Sequence, residues 1–566
     1  MEQSGIIAKG VDGYYHPANE DEVIALVKYA QQNKLLIRVR GASHSTAWSI
    51  FTDPVDGLPV NMTLTSAPPA GPNINVAMDG MIGFQWIDEA AGTAEAEAGI
   101  HLGKDPYDPI GTSTLENGLL HQLFEKGWGL NDLGGITHQT ISGFTATGSA
   151  GGSLKFDLNN VAEIRIVDGT GTASWVTRDD PIFDAVAVSM GLLGIVTKFR
   201  LRLNPSFRVV GTETTTPPTL PDCPIDLFGD GKPGTPSLEN FLKEQDYSRI
   251  MWWPQKKAAR VVIWQASRVE GPPPHDYKPH PYEELKESIG GWLEQLVGGI
   301  LYLLLGNRGQ ATVAPKLKIA YARFVECVTA MWGGTDAARK KASFVSGIVS
   351  VVLFIPTMIF IAWPNLLKSL FPTALNILQP MTKGGKPTLF DDYYWRSLPM
   401  DNTADDILLG TAFTEVWAPL QYAKPLMVLF NTLFEDRGEA AVGFYSTEIY
   451  ATMPSKSWLS PAYSNGTDEY KDGVVRFDVF WYRGNDGLPN VEGGFYQQYW
   501  DLFLKSGIPF RFHWGKYIPA YDLPAWAEHY RTSLPMLDDF MALRAQRDPD
   551  GIFFTRYWRE RLMGRA

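Results

Sequence analysis

Arg38-Val39-Arg40-Gly41-Ala42-Ser43-His44-Ser45 sets a short β-rich run against a tight turn of small residues. The run starts at Leu35-Leu36-Ile37 and stops at Gly41. Small residues expose backbone N–H groups, which can cradle a diphosphate. A second stretch has the same character. It runs from Gly134-Gly135-Ile136 through Ile141-Ser142-Gly143-Phe144-Thr145-Ala146-Thr147-Gly148-Ser149-Ala150-Gly151-Gly152. Neither is a Walker loop, for no Gly-Lys-Ser/Thr is present, and neither has the Gly-x-Gly-x-x-Gly that opens a Rossmann helix. Taken singly, each reads as well as an ordinary β-turn. Their order, with Gly191-Leu192-Leu193-Gly194-Ile195-Val196-Thr197 further on, points to one large anionic ligand.

Around these loops the chain alternates helix and strand. Asn19 and Glu20 sit where a helix would be capped, and Val23, Leu26, Val27 and Ala30 follow at helical spacing. Residues 84–104 read as strands, Leu115 to Gly127 as a helix, and 131–153 as a long loop. Val161, Glu163, Arg165 and Val167 alternate up to Asp168-Gly169-Thr170-Gly171, which predicts a β-hairpin over 161–177. Ile195 to Leu203 alternates again. Composition shifts near Pro205, and 215–236 and Gly271–Pro281 read as linkers rich in Pro and Gly. The end, Leu523 to Leu562, reads as helical.

Composition narrows the classes. The 566 residues are 45% apolar and 20% charged, which is globular. Fifty Lys and Arg against 62 Asp and Glu leave a net charge of −12, which argues against a nucleic acid partner. Two cysteines, Cys223 and Cys327, exclude a disulfide framework and an all-cysteine metal or iron–sulfur site, and no metal is expected. The start, MEQSGIIAKG, lacks the layout of a secretory signal, so a cytoplasmic setting is expected.

The three loops, in this order, resemble those of the vanillyl-alcohol-oxidase-type flavoproteins with a PCMH-type FAD domain. The similarity is greatest to the aldonolactone and alditol oxidases, and more distant to the covalent-flavin cholesterol oxidases. It covers residues 14–205 and 440–562. The family's Arg-x-x-Gly-x-x-His-Ser is met by Arg38, Gly41, His44 and Ser45. The resemblance implies FAD tethered covalently through His44. It also implies a cofactor lining of Arg40, Gly41, Ala42, Ser43, Ser45, Gly135, Ser142, Gly143, Thr145, Ala146, Thr147, Gly148, Gly194, Ile195, Val196 and Lys516. A histidine that merely caps a loop around unlinked FAD is the plainer alternative. Ser149-Ala150-Gly151-Gly152 stands where relatives often read Thr-His-Gly-x-Gly, and no cysteine lies between His44 and Gly194 for a second tether.

Toward the C-terminus, Phe512-His513-Trp514-Gly515-Lys516 and Arg547-Asp548-Pro549-Asp550-Gly551-Ile552-Phe553 match signatures of the same oxidases. Lys516 is implied as the ammonium that stabilises the reduced ring; a surface lysine after a turn is the alternative. Glu448 matches the Glu of the family's Glu-x-Arg strand, while Tyr450 holds the Arg position and cannot supply its charge. A carboxylate on an apolar strand costs desolvation, which favours a function. Alcohol oxidation needs a base. Glu448, Asp478 and His513 are the candidates, Glu448 first. An ion pair of Asp478 with Arg476 or Arg483 is the alternative for that residue.

The expected fold is therefore α+β, a two-domain PCMH-type FAD-binding fold with an α/β cap built on an antiparallel sheet. The FAD domain is set at 1–207, the cap at 208–516 with an apolar helical insertion at about 285–380, and a C-terminal segment at 517–566 returns to the FAD domain. The resemblance implies an FAD-dependent oxidase that removes hydride from a C–OH group of an alcohol, polyol or lactone and makes hydrogen peroxide from oxygen. A dehydrogenase feeding a quinone or cytochrome, an oxidase of a sterol-like alcohol, and a flavin-binding protein without turnover are alternatives. Ala342 to Leu367 carries no charge and exceeds the ~20 residues that span a bilayer core. Buried cap helices, a peripheral membrane-docking surface and a true span all fit it, and the first two would suit an amphiphilic substrate.

Overall fold

The computed structural model describes residues 6–53, 68–105, 108, 110–156, 160–255, 259–271, 273–280, 325, 335–344, 375–376, 379–382, 384, 386–400, 411–437, 446–482, 496–519 and 524–563. The body of the apolar segment 342–367, nearly all of the expected insertion at 285–380, Cys327 and Arg483 lie outside them. Among the described residues no helix is long and apolar enough to cross a membrane.

The N-terminal part follows its sequence patterns. Asn19 accepts from Glu22 N to start the helix Glu20–Asn33, whose stripe of Val23, Leu26, Val27 and Ala30 is buried. The strand Ile37–Arg40 then pairs in parallel with Ile74–Ala77. A five-stranded sheet lies beside it, in the order Phe84–Asp88, Thr93–Glu97, Ile195–Arg202, Val161–Val167, Ala173–Thr177. In Ile195–Arg202 buried and half-exposed residues alternate, so one face joins the core. The hairpin turn is held by Asp168 Oδ1, which accepts from Thr170 N and Thr172 N.

The second part is an antiparallel sheet of eight strands. Their order is Thr388–Tyr393, Phe207–Thr216, Arg260–Glu270, Tyr247–Trp253, Thr447–Thr452, Val474–Tyr482, Thr411–Pro419, Arg511–Phe512. Side chains alternate between its faces. One face carries Ile250, Ile449, Phe477 and Val416 across four strands. Phe430 of the helix Ala423–Arg437 packs on Phe477, and Tyr499 and Phe503 of the helix Gln497–Ser506 pack on Phe430. The other face carries charge.

The C-terminal helices Pro524–Ser533, Leu537–Arg547 and Arg556–Leu562 come back to the N-terminal part. Ile37 N donates to Ile552 O at 2.8 Å and Trp558 Nε1 to Ser49 O at 3.1 Å.

Three local expectations need correction. The helix expected over 115–127 is confined to Leu119–Phe124, because Thr114 and Asn117 bond each other's backbone N–H in a preceding turn. The loop 131–153 contains a short helix, Ile141–Ala146, capped by Thr140. The stretch 215–236 is no linker: the long strand runs to Thr216, and Cys223, Ile225 and Leu227 are buried in the core.

Candidate active site

The three glycine-bearing loops line one open cleft, whose empty volume is about 960 Å³ with its mouth included. Gly41, Ala42, Ser43, His44 and Ser45 line it from the first loop; Ser142, Gly143, Ala146 and Thr147 from the second; and Gly194, Ile195 and Val196 from the third. His513 and Lys516 close it from the C-terminal side. The walls need small residues. A Cβ at Gly41 would run into Thr140 Oγ1, the atom that caps Ile141–Ala146 by accepting from Gly143 N. Gly194 has φ +146° and faces the carbonyl of Val167, so a side chain fails there on both counts. Ser43 holds φ +61°, a strained value for a residue with a Cβ, and its hydroxyl bonds to Arg40.

Four expected lining residues lie elsewhere. Arg40 is taken up by Ser43 and by the ring of Tyr14, 4.5 Å from its guanidinium carbon. Gly135 accepts from Met400 N and borders a smaller cavity of about 280 Å³. The hydroxyl of Thr145 bonds Ile141 O, and Gly148 turns the chain at φ +70° beside Val188. Arg38 touches the cavity chiefly as a knot: its buried guanidinium donates to Ser49 O, Met190 O and Phe553 O. Burial lowers it to about 10, still cationic at neutral pH.

His44 stands apart from the rest of the cradle. Its Nε2 is sealed from solvent and has no hydrogen-bond partner. Burial first, then His138, Lys516 and His101 nearby, hold its imidazole well below 6.5. A neutral ring with an orphaned nitrogen is a nucleophile. The ring of His138 lies 5.8 Å away, centroid to centroid.

The His-Trp-Gly-Lys turn is fastened beside it. Trp514 Nε1 donates to Leu459 O at 2.6 Å, its ring meets Trp558, and Gly515 O accepts from Thr46 N. Gly515 also lets Ser45 approach, since a Cβ there would sit 3.0 Å from Ser45 Oγ. Lys516 is thereby placed in the same cavity as His44. His513 Nδ1 accepts from Gly515 N at 3.2 Å and Nε2 lies 3.4 Å from Ser149 Oγ. Burial, then Lys516 and Arg476, push its imidazole down to about 4.

The charged face of the eight-stranded sheet supplies two adjacent rows. Strand register aligns Met251, Glu448, Asp478 and Glu415. Two residues along, on the same face, come Arg249, Tyr450, Arg476 and Trp417. Tyr450 donates to Glu448 Oε2 at 2.6 Å. Arg476 reaches Glu415 Oε1 at 3.0 Å, and Trp417 Nε1 donates to the same oxygen at 2.6 Å. Burial alone would raise the Glu415 acid; Arg476, His513 and Lys516 outweigh it and hold Glu415 below the usual carboxylate range. Glu448 goes the other way, raised by burial and by Glu415 against Tyr450, Arg249 and Arg476.

Two corrections follow. The charge expected to be missing at Tyr450 is present from neighbouring strands: the Arg476 guanidinium lies 4.9 Å from the Tyr450 ring centre, and Arg249 acts on both Tyr450 and Glu448. The ion pair considered for Asp478 is not made by Arg476, which is given to Glu415 and to the carbonyls of Ala150 and Gly151. Sequence reasoning missed Glu415, Arg249, His138 and Thr140. Glu415 carried a readable signal, a lone carboxylate in the apolar run Phe413-Thr414-Glu415-Val416-Trp417. Among the described residues no group of His, Cys, Asp or Glu is gathered to hold a metal.

Fold and site together define a two-part α+β architecture of the PCMH type, with a small-residue cradle and a charged antiparallel sheet face whose Arg249 and Tyr450 border the smaller cavity. Over 97% of its length the chain superposes on 93% of cholesterol oxidase from Brevibacterium sterolicum, at 15% identity and a TM-score of 0.59 for a His-to-Ala mutant. Chitooligosaccharide oxidase follows, with 95% of this chain and 89% of that one, 12% identity and a TM-score of 0.52. In sequence the chain is 23% identical over 281 residues to D-arabinono-1,4-lactone oxidase of Saccharomyces cerevisiae, 47% of this chain and 43% of the relative. It is 23% identical over 308 residues to L-gulonolactone oxidase of Mus musculus, 54% of this chain and 56% of the relative. The matched stretches thus span about half the length of these relatives. No family model matches the chain.

Proposed function

We propose that the protein is an FAD-dependent oxidase acting on a CH–OH group, with dioxygen as acceptor and hydrogen peroxide as product. One observation carries this reading: the cradle, the orphaned Nε2 of His44, and Lys516 meet in one cavity. The three loops line one cleft, and Gly41 and Gly194 let them close on Thr140 and Val167, where a Cβ would clash. Gly41 to Ser45, Ser142, Gly143, Gly194 and Val196 would hold the cofactor, with His44 its covalent tether. FAD, once bound, supplies a two-electron acceptor for the hydride of the substrate carbon.

This chain's own residues do the rest. Lys516 is a fixed cation where negative charge develops on the acceptor. Glu448 takes the hydroxyl proton. Its carboxylate is oriented by Tyr450, and burial raises its pKa in the direction a general base requires. His513 is less suited, since its Nδ1 accepts from its own turn. A charged sheet face of Glu448, Tyr450, Arg249 and Arg476, two of which border the smaller cavity, favours a substrate with several hydroxyls over a sterol, a departure from the amphiphilic substrate suggested by the segment 342–367. The division at 207 and 516 follows the same logic: the charged sheet face lies between, and the cradle is built from the two ends.

Anaerobic mixing with alcohols, polyols, lactones and sterols tests the reading. Polyols or lactones should bleach the flavin, and air should restore it with release of peroxide. Bleaching by none of them, or recovery only with an added quinone, would sink it. Acid-precipitated protein should stay yellow, and His44→Ala should release the colour.

A further inference from the structure

Asp478 sits between two other carboxylates. Register places it opposite Glu448 on one side and Glu415 on the other, and directly opposed antiparallel residues have Cβ atoms about 4.5–5.5 Å apart. Three ionised carboxylates in such a row would repel strongly. The three are not equally served. Glu415 takes Arg476 and the indole of Trp417, and Glu448 takes the hydroxyl of Tyr450. Asp478 Oδ1 is sealed and has no partner, in a residue only 6% exposed. An ionised oxygen so placed is costly, whereas a neutral acid is tolerated. The groups that act on it are Glu415, Glu448, Arg476 and Lys516, with Tyr450 and His513 one contact further out.

We infer that Asp478 is the proton-carrying member of a carboxyl pair with Glu448, a positioning residue that leaves Glu448 ionised to accept the substrate's hydroxyl proton. This rests on the oxidase reading only for its kinetic consequence. Burial, then Glu415, hold the Asp478 acid well above its ordinary range against Arg476 and Lys516. A neutral Asp478 also keeps the row from carrying three charges.

Infrared difference spectra of the holoenzyme at pH 7 read the proton without turnover. Wild type should show a protonated-carboxyl C=O band, shifted in D2O, that is lost in Asp478→Asn and kept in Glu448→Gln. No such band in wild type, or a band lost only in Glu448→Gln, overturns the inference. Asp478→Ser serves the same subtraction if the Asn variant does not accumulate. The second readout is the pH profile of anaerobic flavin reduction by a substrate that bleaches wild type. Wild type should lose rate on the alkaline side as Asp478 ionises. Asp478→Asn should be about tenfold slower at neutral pH and flat on the alkaline side. A drop of a thousandfold or more at every pH would make Asp478 the base itself and overturn the assignment. If no substrate bleaches wild type, the oxidase reading fails and the infrared result still decides where the proton is.

Discussion

The cradle, a floor, and the charged sheet face beyond Lys516, a roof, are made in opposite ways. The floor is built on glycine: Gly41 and Gly143 close on Thr140, and Gly194 on the carbonyl of Val167. The roof is side chain: Glu448, Asp478, Glu415, Arg249, Tyr450 and Arg476 project from one sheet face in register. The floor should suffer most from added atoms that meet its packed neighbours, and the roof most from a change of charge. Substitutions should therefore separate the two regions by what they disturb.

Glu448→Gln should do most. It keeps shape and removes the proton acceptor, so the rate of anaerobic reduction should fall about 10³-fold with flavin content unchanged. Loss of flavin instead would make Glu448 part of the floor. Lys516→Met should slow reduction about 10²-fold and lower the flavin's reduction potential, as read by dye-linked titration. Because Lys516 stands at the seam, an unchanged potential would remove it from the cofactor's surroundings. Gly41→Val should act on the floor alone. Purified protein should carry at least tenfold less flavin by absorbance, because the added methyls must displace Thr140 and the helix it caps. Full occupancy would show that the two loops do not close on one ligand.

The smallest effect concerns stability. The Asp478 acid is raised above its ordinary 3.8, so the folded chain holds a proton that the unfolded chain gives up. Its contribution is complete below pH ~3.8 and is lost as pH climbs through the folded value. Asp478→Asn should thus flatten the fall in Tm between pH 5 and 8, by scanning calorimetry on the holoenzyme. An unchanged slope would mean that Asp478 is ionised in the folded protein.

The same contrast decides what could be read from the sequence. Each loop of the floor is contiguous in the chain, so its glycines are legible there, and the helix and strands around the loops follow from spacing. Arg38 and Arg40 were harder. Both belong to the motif, yet Arg38 ties three segments and Arg40 stacks on Tyr14, which only the fold decides. The roof is assembled from strands far apart in the chain. Tyr450 reads as a lost cation because the guanidiniums that flank it come from Arg249 and Arg476. Glu415 stands out along its own strand as a lone carboxylate, but its partners, Asp478 and Arg476, lie across the sheet and only the fold shows them.

The pairing of Ile37 with Ile552 imposes an order in time. The first strand of the floor is synthesised early, but its backbone partner and the indole of Trp558 emerge only after some five hundred further residues. At ~5–20 residues per second, that delay is on the order of half a minute to two minutes on the ribosome. Throughout it the nascent cradle lacks one wall. A chain stalled before its final helices would leave Ser49 O without the indole of Trp558 and the Arg38 guanidinium without Phe553 O, a surface on which a chaperone could act.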